Sequence, residues 1–436
     1  LFKSLSNAFK IPELRKRILF TLGMLIVFRM GIFIPTPGVN VTNLQALFGQ
    51  GDSPLIDFFN LFSGGALTRF SIFALGIAPY INSSIIMQLL VYVIPYLQHL
   101  AKESGEEGRK KINQYTRYGT IIIAILQAFG ITFMLERYNV VHNPGWGFKL
   151  MAVTTLTAGT AFVMWLGEKM TEKGIGNGVS MIITTGIVAG FLPGLIQHMK
   201  ILHGDLSAPV VIKNLVLLAL MIMTVMLVVW VQEAVRKIPV QYAKRVVGRR
   251  VYGGQNTFIP LKVNQAGVIP VIFASSILMF PTMIFKWISG MDYAWVNGKA
   301  ARWFLTLFEY NSPSYYITYS VLIFLFTFFY TAITFDVREL ADNLKKYGGF
   351  IPGIRAGQKT VDFLEKTLTK VTTAGAIFLI VISLIPNFLM TAFGLNFYFG
   401  GTALLIVVGV ILETFNQLES HLVTRHYEGF MKKKKA

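Results

Sequence analysis

Apolar and polar residues follow one another along this chain in long blocks. Ten stretches, roughly 18–35, 72–97, 118–135, 150–167, 179–196, 215–235, 266–288, 314–335, 371–393 and 398–415, are each apolar over about the 20 residues that a bilayer-crossing helix needs. The pattern predicts an all-α polytopic membrane protein with ten transmembrane helices. One further apolar stretch is too short to span. It carries Leu55, Ile56, Phe58, Phe59, Leu61 and Phe62, and Gly64 and Gly65 then break it. Residues 55–69 therefore read as a re-entrant piece tied to the second span. Such a piece is stable at membrane depth only where protein or a water-filled cavity surrounds it.

Polarity inside the blocks marks particular spans. The second opens with Pro79, Tyr80, Asn82, Ser83 and Ser84, and Gln88 follows one turn on. This face admits two readings, a helix packed through small polar groups or one that lines a cavity. Spans four and five carry many Thr and Gly residues, which predicts packing inside a bundle. Arg29 lies near the outer end of span one, within snorkelling reach of the interface, and reads as structural. Ahead of that span, Phe2, Leu5 and Phe9 fall at helical spacing, so residues 1–17 are expected to form a short amphipathic helix. The apolar run 18–34 is longer than a signal-peptide core and ends at Pro35 and Pro37, so it is expected to stay as a span.

Composition agrees with the blocks. Charged residues make up 14% of the chain, against about 25% in soluble domains. The net charge of +19 is distributed unevenly. With the N-terminus inside, thirty-one of the 40 Lys and Arg residues fall in cytoplasmic segments and eight in outer ones. The positive-inside rule therefore places both termini in the cytoplasm.

Two of the inner segments exceed what a connector needs. In residues 232–264 the runs IPVQYA and TFIPLKV flank a basic stretch with Arg249 and Arg250, which predicts a projecting β-hairpin. In residues 336–370, Gly348, Gly349, Pro352, Gly353 and Gly357 form a tight loop that presents Arg355. Arginines at glycine-rich turns suit docking to an acidic partner or to RNA phosphates.

Catalytic chemistry has no foothold in the sequence. There is no cysteine, which excludes disulfides, thiolate metal sites and thiol nucleophiles. The six histidines pair nowhere at i, i+4, and no HExxH, GxSxG or P-loop pattern occurs. No Asp or Glu lies mid-span; Glu168 and Glu413 sit at cytoplasmic ends. Ion-coupled transporters built from inverted repeats depend on such carboxylates. Their absence, with the large basic loops, favours a passive channel over a secondary transporter, and the Asn82–Ser84 face argues against a scaffold without a pore. No cofactor and no metal is expected.

Five runs carry a resemblance: FSGGALTRFSIFALGIAPYINSSIIMQLL, EKGIGNGVSMII, YAKRVVGRRVYGGQNTFIPLKVNQAGVIPVIFASSI, ELADNLKKYGGFIPGIRAGQKT and YFGGTALLIVVGVILET. In this order they resemble the SecY family of bacterial protein-translocase channels over essentially the whole chain. The resemblance implies two pseudo-symmetric five-helix halves around an hourglass pore. Residues 18–200 and 201–415 would form the halves, and 416–436 a basic cytoplasmic tail. Residues 55–69 would be a plug. Ile77, Ile81, Val179, Ile183, Ile272 and Ile406 match the family's pore ring. Stiff, apolar, β-branched side chains suit a ring that closes by dewetting. Spans two and seven would form a lateral gate, in which Asn82, Ser83, Ser84 and Gln88 are expected to face Ser275 and Ser276, with Gln127 nearby. Arg249, Arg250 and Arg355 would dock the SecA motor ATPase or the ribosome. The implied partners also include the small membrane subunits SecE and SecG, signal peptides, secretory preproteins and membrane lipid. The implied location is the bacterial cytoplasmic membrane.

Overall fold

The computed structural model describes residues 9, 11–40, 43–44, 63–102, 105–138, 140–204, 208–242, 245–247, 250–252, 256–278, 312–393 and 401–433. In chain order the elements are α1 Pro12–Gly31, α2 Ala78–Val93, α3 Pro95–Lys102, α4 Gly105–Arg137, α5 Trp146–Lys173, α6 Gly178–Gly204 and α7 Ala208–Glu233. Strands β1 Val235–Tyr242, β2 Arg245–Val247, β3 Arg250–Tyr252 and β4 Asn256–Lys262 follow. After them come α8 Ile269–Leu278, α9 Pro313–Thr334, α10 Val337–Lys346, β5 Gly349–Phe350, α11 Gln358–Phe393 and α12 Gly401–Lys433.

Among the described residues, six helices are long and apolar enough to cross a bilayer, and α2 with α3 passes as a seventh when taken as one bent span. α8 and the Gly178–Phe191 part of α6 are shorter apolar helices. α1 carries the first expected span. It starts at Pro12, a residue whose fixed φ and missing N–H suit a first turn, so residues 12–17 are its opening turns and not part of a separate helix. Most of the expected amphipathic N-terminal helix lies outside the described residues.

The second span departs from its expected bounds. Residues 72–77 are turns, and the helix runs from Ala78 to Val93. Pro95 cannot donate to the carbonyl a turn earlier and biases Ile94 toward extended backbone. Ile94 has φ −99 and ψ 113, and the chain bends by 104° into α3. Hydropathy is blind to this break because Tyr96 and Leu97 remain apolar. At the other extreme, α4 and α12 continue well past their apolar blocks. α12 carries the basic tail as helix to Lys433, since Lys, Arg, Glu and Gln are good helix formers.

Burial separates interior helices from lipid-facing ones. Half of the apolar window of α5 is buried against protein, but only 17% of that in α7. One core in the first half joins α4 and α5 to the segment 67–75 through Leu67, Phe70, Leu75, Ala124, Ala128 and Leu156. A matching core in the second half joins α7, α8, α9, α11 and α12 through Val228, Val271, Ile323, Leu379 and Leu405. A third cluster bridges the halves and is described below.

The two long basic loops fold together. β1 and β4 form the expected hairpin, in register Ile238↔Ile259. The second loop adds β5, which pairs with Gln241 and Tyr242 to give the sheet order β4-β1-β5. Proline placement limits this sheet. Lys237 opposes Pro260 and Pro239 opposes Phe258. Proline has no N–H, so both must be non-hydrogen-bonded pairs. The blank nitrogen of Pro260 then faces the outer edge, and that of Pro239 faces the β5 side. Pro260 thus blunts the β4 edge, and β5 pairs with β1 only beyond Pro239. Ile238, Val240 and Leu261 bury one face of the sheet against Val337, Ala341 and Leu344 of α10 and Val361, Leu364 and Leu368 of α11. Asp336 caps α10 by accepting from the N–H groups of Arg338 and Glu339 at 3.0 and 3.1 Å.

Candidate functional site

The bridging cluster gathers all six residues of the expected ring. Ile77 sits at the N-cap of α2, and Ile81 follows one turn later. Val179 and Ile183 repeat that spacing in the first turns of α6, while Ile272 comes from α8 and Ile406 from α12. Ile77, Ile183 and Ile406 are almost wholly buried; Ile81, Val179 and Ile272 are partly so. Around them stand Phe28 of α1 and Ile32 just after it, Val163 and Leu166 of α5, and Ala403 and Val410 of α12. Four helices from both halves thus meet at stiff aliphatic side chains. Stiff apolar side chains of this kind repel water and ions. Among the described residues, no group of His, Asp or Glu could hold a metal.

Beside the constriction lies the end of the expected plug. Leu55, Ile56, Phe58, Phe59, Leu61 and Phe62 lie outside the described residues. Gly64 and Gly65 are described, with φ +67 and +89. Arg29 lies in the last turn of α1. Its guanidinium donates to the Gly64 carbonyl at 2.9 Å and lies over the Phe33 ring at 5.3 Å. Arg69 lies over the same ring at 4.3 Å. A carbonyl left unpaired away from water is costly, and the guanidinium supplies its partner. The sequence signal was the charge within a span; its target was not visible there.

The residues expected at the lateral gate divide. Ser83 turns away from span seven. It is buried, and its hydroxyl donates to the Thr116 carbonyl of α4 at 2.7 Å. Gly119, one turn further on α4, leaves room for that hydroxyl. Gln88 donates weakly within its own helix, to Ser84 at 3.4 Å. Ser275, buried, donates to the Ile272 carbonyl of its own helix at 2.9 Å. Asn82 and Ser276 are half-buried. Gln127 is buried on α4, and its Oε1 has no partner among the described residues. Among those residues no hydrogen bond joins span two to Ser275 or Ser276, so the expected polar seam is not a bonded one. Serine in an apolar helix satisfies the nearest carbonyl, its own or a neighbour's. Ser83→Ala should therefore cost the fold about 1 kcal/mol, the net value of one such bond. A lower thermal midpoint of the purified protein would register it; an unchanged midpoint would show that the bond carries no stability.

Among the docking residues, Arg355 is exposed in the turn between β5 and α11, where its carbonyl accepts from Thr360 Oγ1 at 3.0 Å. Arg250 opens β3 opposite Val247 in the small β2–β3 hairpin. Arg249 lies outside the described residues. Arg117 of α4 and Glu168 of α5 form a two-pronged ion pair, with both N–O distances 2.8 Å.

The fold defines a class: a mostly helical polytopic membrane protein in which helices from both halves of the chain meet in one apolar cluster and the long basic loops join in one sheet. The SecY family model matches residues 71–415. The chain is 49% identical over 433 residues to the protein translocase subunit SecY of Escherichia coli K12, covering 97% of this chain and 95% of that protein. It is 45% identical over 444 residues to that of Thermotoga maritima, covering 100% and 99%. A solved structure of a protein conducting channel overlays with TM-score 0.66 at 17% identity, covering 96% of this chain and 97% of the other. A second, concerned with the plug domain of the SecY protein, gives 0.67 at 19% with the same coverage. This chain belongs to the SecY family.

Proposed function

We propose that this chain is a protein-conducting channel of the cytoplasmic membrane. It passes unfolded secretory polypeptides across the bilayer and releases signal or transmembrane helices sideways into lipid. The observation that carries this reading is the convergence of Ile77, Ile81, Val179, Ile183, Ile272 and Ile406, from both halves of the chain, in one apolar cluster, which we read as the pore constriction. A channel that must pass any side chain can use no specific polar site, yet it must hold ions back when idle. The identity to relatives named protein translocase subunit SecY supports the same reading. The protein is a channel and not an enzyme, so the energy for transport comes from a partner.

The joined cytoplasmic loops are the surface for that partner, a motor ATPase of the SecA kind or the ribosome. One structural neighbour at 17% identity is a channel in a canine ribosome-channel complex, which supports the ribosome reading through fold alone. SecE and SecG complete the membrane assembly, and both termini face the cytoplasm. The direct test is reconstitution into vesicles with those two subunits: addition of SecA and ATP should move a preprotein into a protease-protected state. A preparation that remains unable to do so, while transporting a small solute, would overturn the proposal.

Arg355→Glu probes the docking surface. The side chain is solvent-exposed, so folding should be unaffected. Loss of one charge-assisted contact worth about 1.4 kcal/mol should reduce motor-driven transport roughly tenfold. Parental transport by this variant would place the motor elsewhere.

A further inference from the structure

The loop between α5 and α6 is held from three sides. Its amide groups, with that of Gly178 at the start of α6, are directed to three elements, α5, α1 and α12. Gly174 N–H donates to the Met170 carbonyl of α5 at 2.8 Å. Ile175 N–H donates to Thr21 Oγ1 of α1 at 3.1 Å. Gly176 N–H donates to Gln417 Oε1 of α12 at 2.7 Å, across 241 residues of sequence. Gly178 N–H returns to Thr171 Oγ1 of α5 at 2.8 Å. Asn177 caps α6 by accepting from the N–H groups of Val179 and Ser180 at 3.1 and 3.3 Å.

The contact with α12 is close. Gly176 has φ +78, and a Cβ there would stand 2.9 Å from Thr414 Oγ1, so the helix rests on bare backbone. Thr414, Gln417 and Leu418 follow at i, i+3 and i+4 and therefore share one face of α12. The Thr414 hydroxyl lies 3.8 Å from Met181 Sδ of α6. Leu418 is buried with Ile175 of the loop and Leu14 of α1. One face of a second-half helix thus sets the height and rotation at which α6, a first-half helix, begins.

That start is adjacent to the constriction. Val179 comes three residues after Gly176, and Ile183 one turn later; Ile406 lies three turns before Gln417 on the same α12. We infer that Gln417 is a positioning residue for the pore: by accepting from Gly176 it fixes the register of Val179 and Ile183 against Ile406, and so sets how tightly the constriction closes. The inference rests on the reading of those residues as the seal. Gln417 lies at the exposed edge of the contact, so water competes for the same N–H. Losing the acceptor should therefore loosen the junction without dismantling it, and shift the closed–open balance about fivefold.

The test uses the complete membrane complex in planar bilayers, and compares Gln417→Leu, Gln417→Glu and Ile406→Asn with the parent. Gln417→Leu should raise resting ion conductance about fivefold. It should also let the channel accept signal sequences that the parent rejects. Gln417→Glu should behave as the parent, because a carboxylate oxygen still accepts from Gly176. Should Gln417→Leu reduce the amount of assembled complex, Gln417→Asn, shorter by one methylene, carries the same expectation. Parental tightness in the variants lacking the acceptor, with Ile406→Asn leaking, would overturn this inference and leave the seal standing. Equal leakage by Gln417→Leu and Gln417→Glu would also overturn it, since the acceptor would not be the cause. If Ile406→Asn is tight as well, the seal and the inference fall together.

Discussion

Ile406→Asn is expected to make the resting channel leak ions and accept defective signal sequences. Ile406 is 1% exposed and stands in the cluster with Ile77 and Ile183. An amide there has two donors and an acceptor where its neighbours offer only methyl groups. Left dry, such a group costs about 1–3 kcal/mol; hydrated, it costs little. The substitution therefore removes that much from the dry, closed state relative to a wetted one. The wetted population should rise by roughly ten- to a hundredfold. A constriction that seals by dewetting has no other means to resist. Conductance of planar bilayers containing the purified complex reads the effect directly. If the variant stays as tight as the parent even after residues 55–62 are removed, the six aliphatic residues are not the seal.

Much of the architecture was legible in the sequence because bilayer crossing imposes length and hydropathy on every span. The concentration of basic residues likewise pointed to the loops that join in the sheet β4-β1-β5. The ring was legible only through family resemblance. Ile77 and Ile81, or Val179 and Ile183, look like any pair on one face of an apolar helix. What sets them apart is that four helices distant in sequence bring them to one place. The bend at Pro95 was present as a helix-breaking signal but hidden inside an apolar block. Ser83 and Arg29 show a different limit. Each was correctly singled out as a polar group in an apolar span, yet the partner of each is a backbone carbonyl, of Thr116 and of Gly64. Every residue has a carbonyl, so no side-chain pattern marks which one is met. The two-residue strand β5 lies below any periodicity, and only the pairing of Gly349 and Phe350 with β1 defines it.

Gly159→Ala should be the most damaging single methyl added to the first half. A Cβ at this position of α5 would overlap the Ile72 carbonyl oxygen, with the Phe73 ring 3.3 Å away on the other side. The obstacle is backbone, which no rotamer change can clear. It is also fixed on both sides: Ile72 N–H is bonded to the Ile34 carbonyl at 3.0 Å, and Ser71 is bridged to Pro35. Phe73 stacks between Phe28 of α1 and Phe162 of α5, with ring centroids 6.1 and 5.8 Å apart. Relieving the overlap would push the turn 71–77 off α5 and carry Ile77, the first residue of the constriction, with it. Overpacking a well-filled core costs about 1–3 kcal/mol and occasionally more; contact with immobile backbone belongs at the upper end. The expected result is a marked drop in the thermal midpoint of the purified complex and in its amount in the membrane. Gly130→Ala on α4 is the matched control. Nothing lies within 4 Å of its Cβ position, so alanine there should be neutral or should add about 0.5–1 kcal/mol of helix stability. Equal midpoints for the two variants would mean that the segment 71–77 can move away from α5 at little cost, and that the constriction is not braced by this contact.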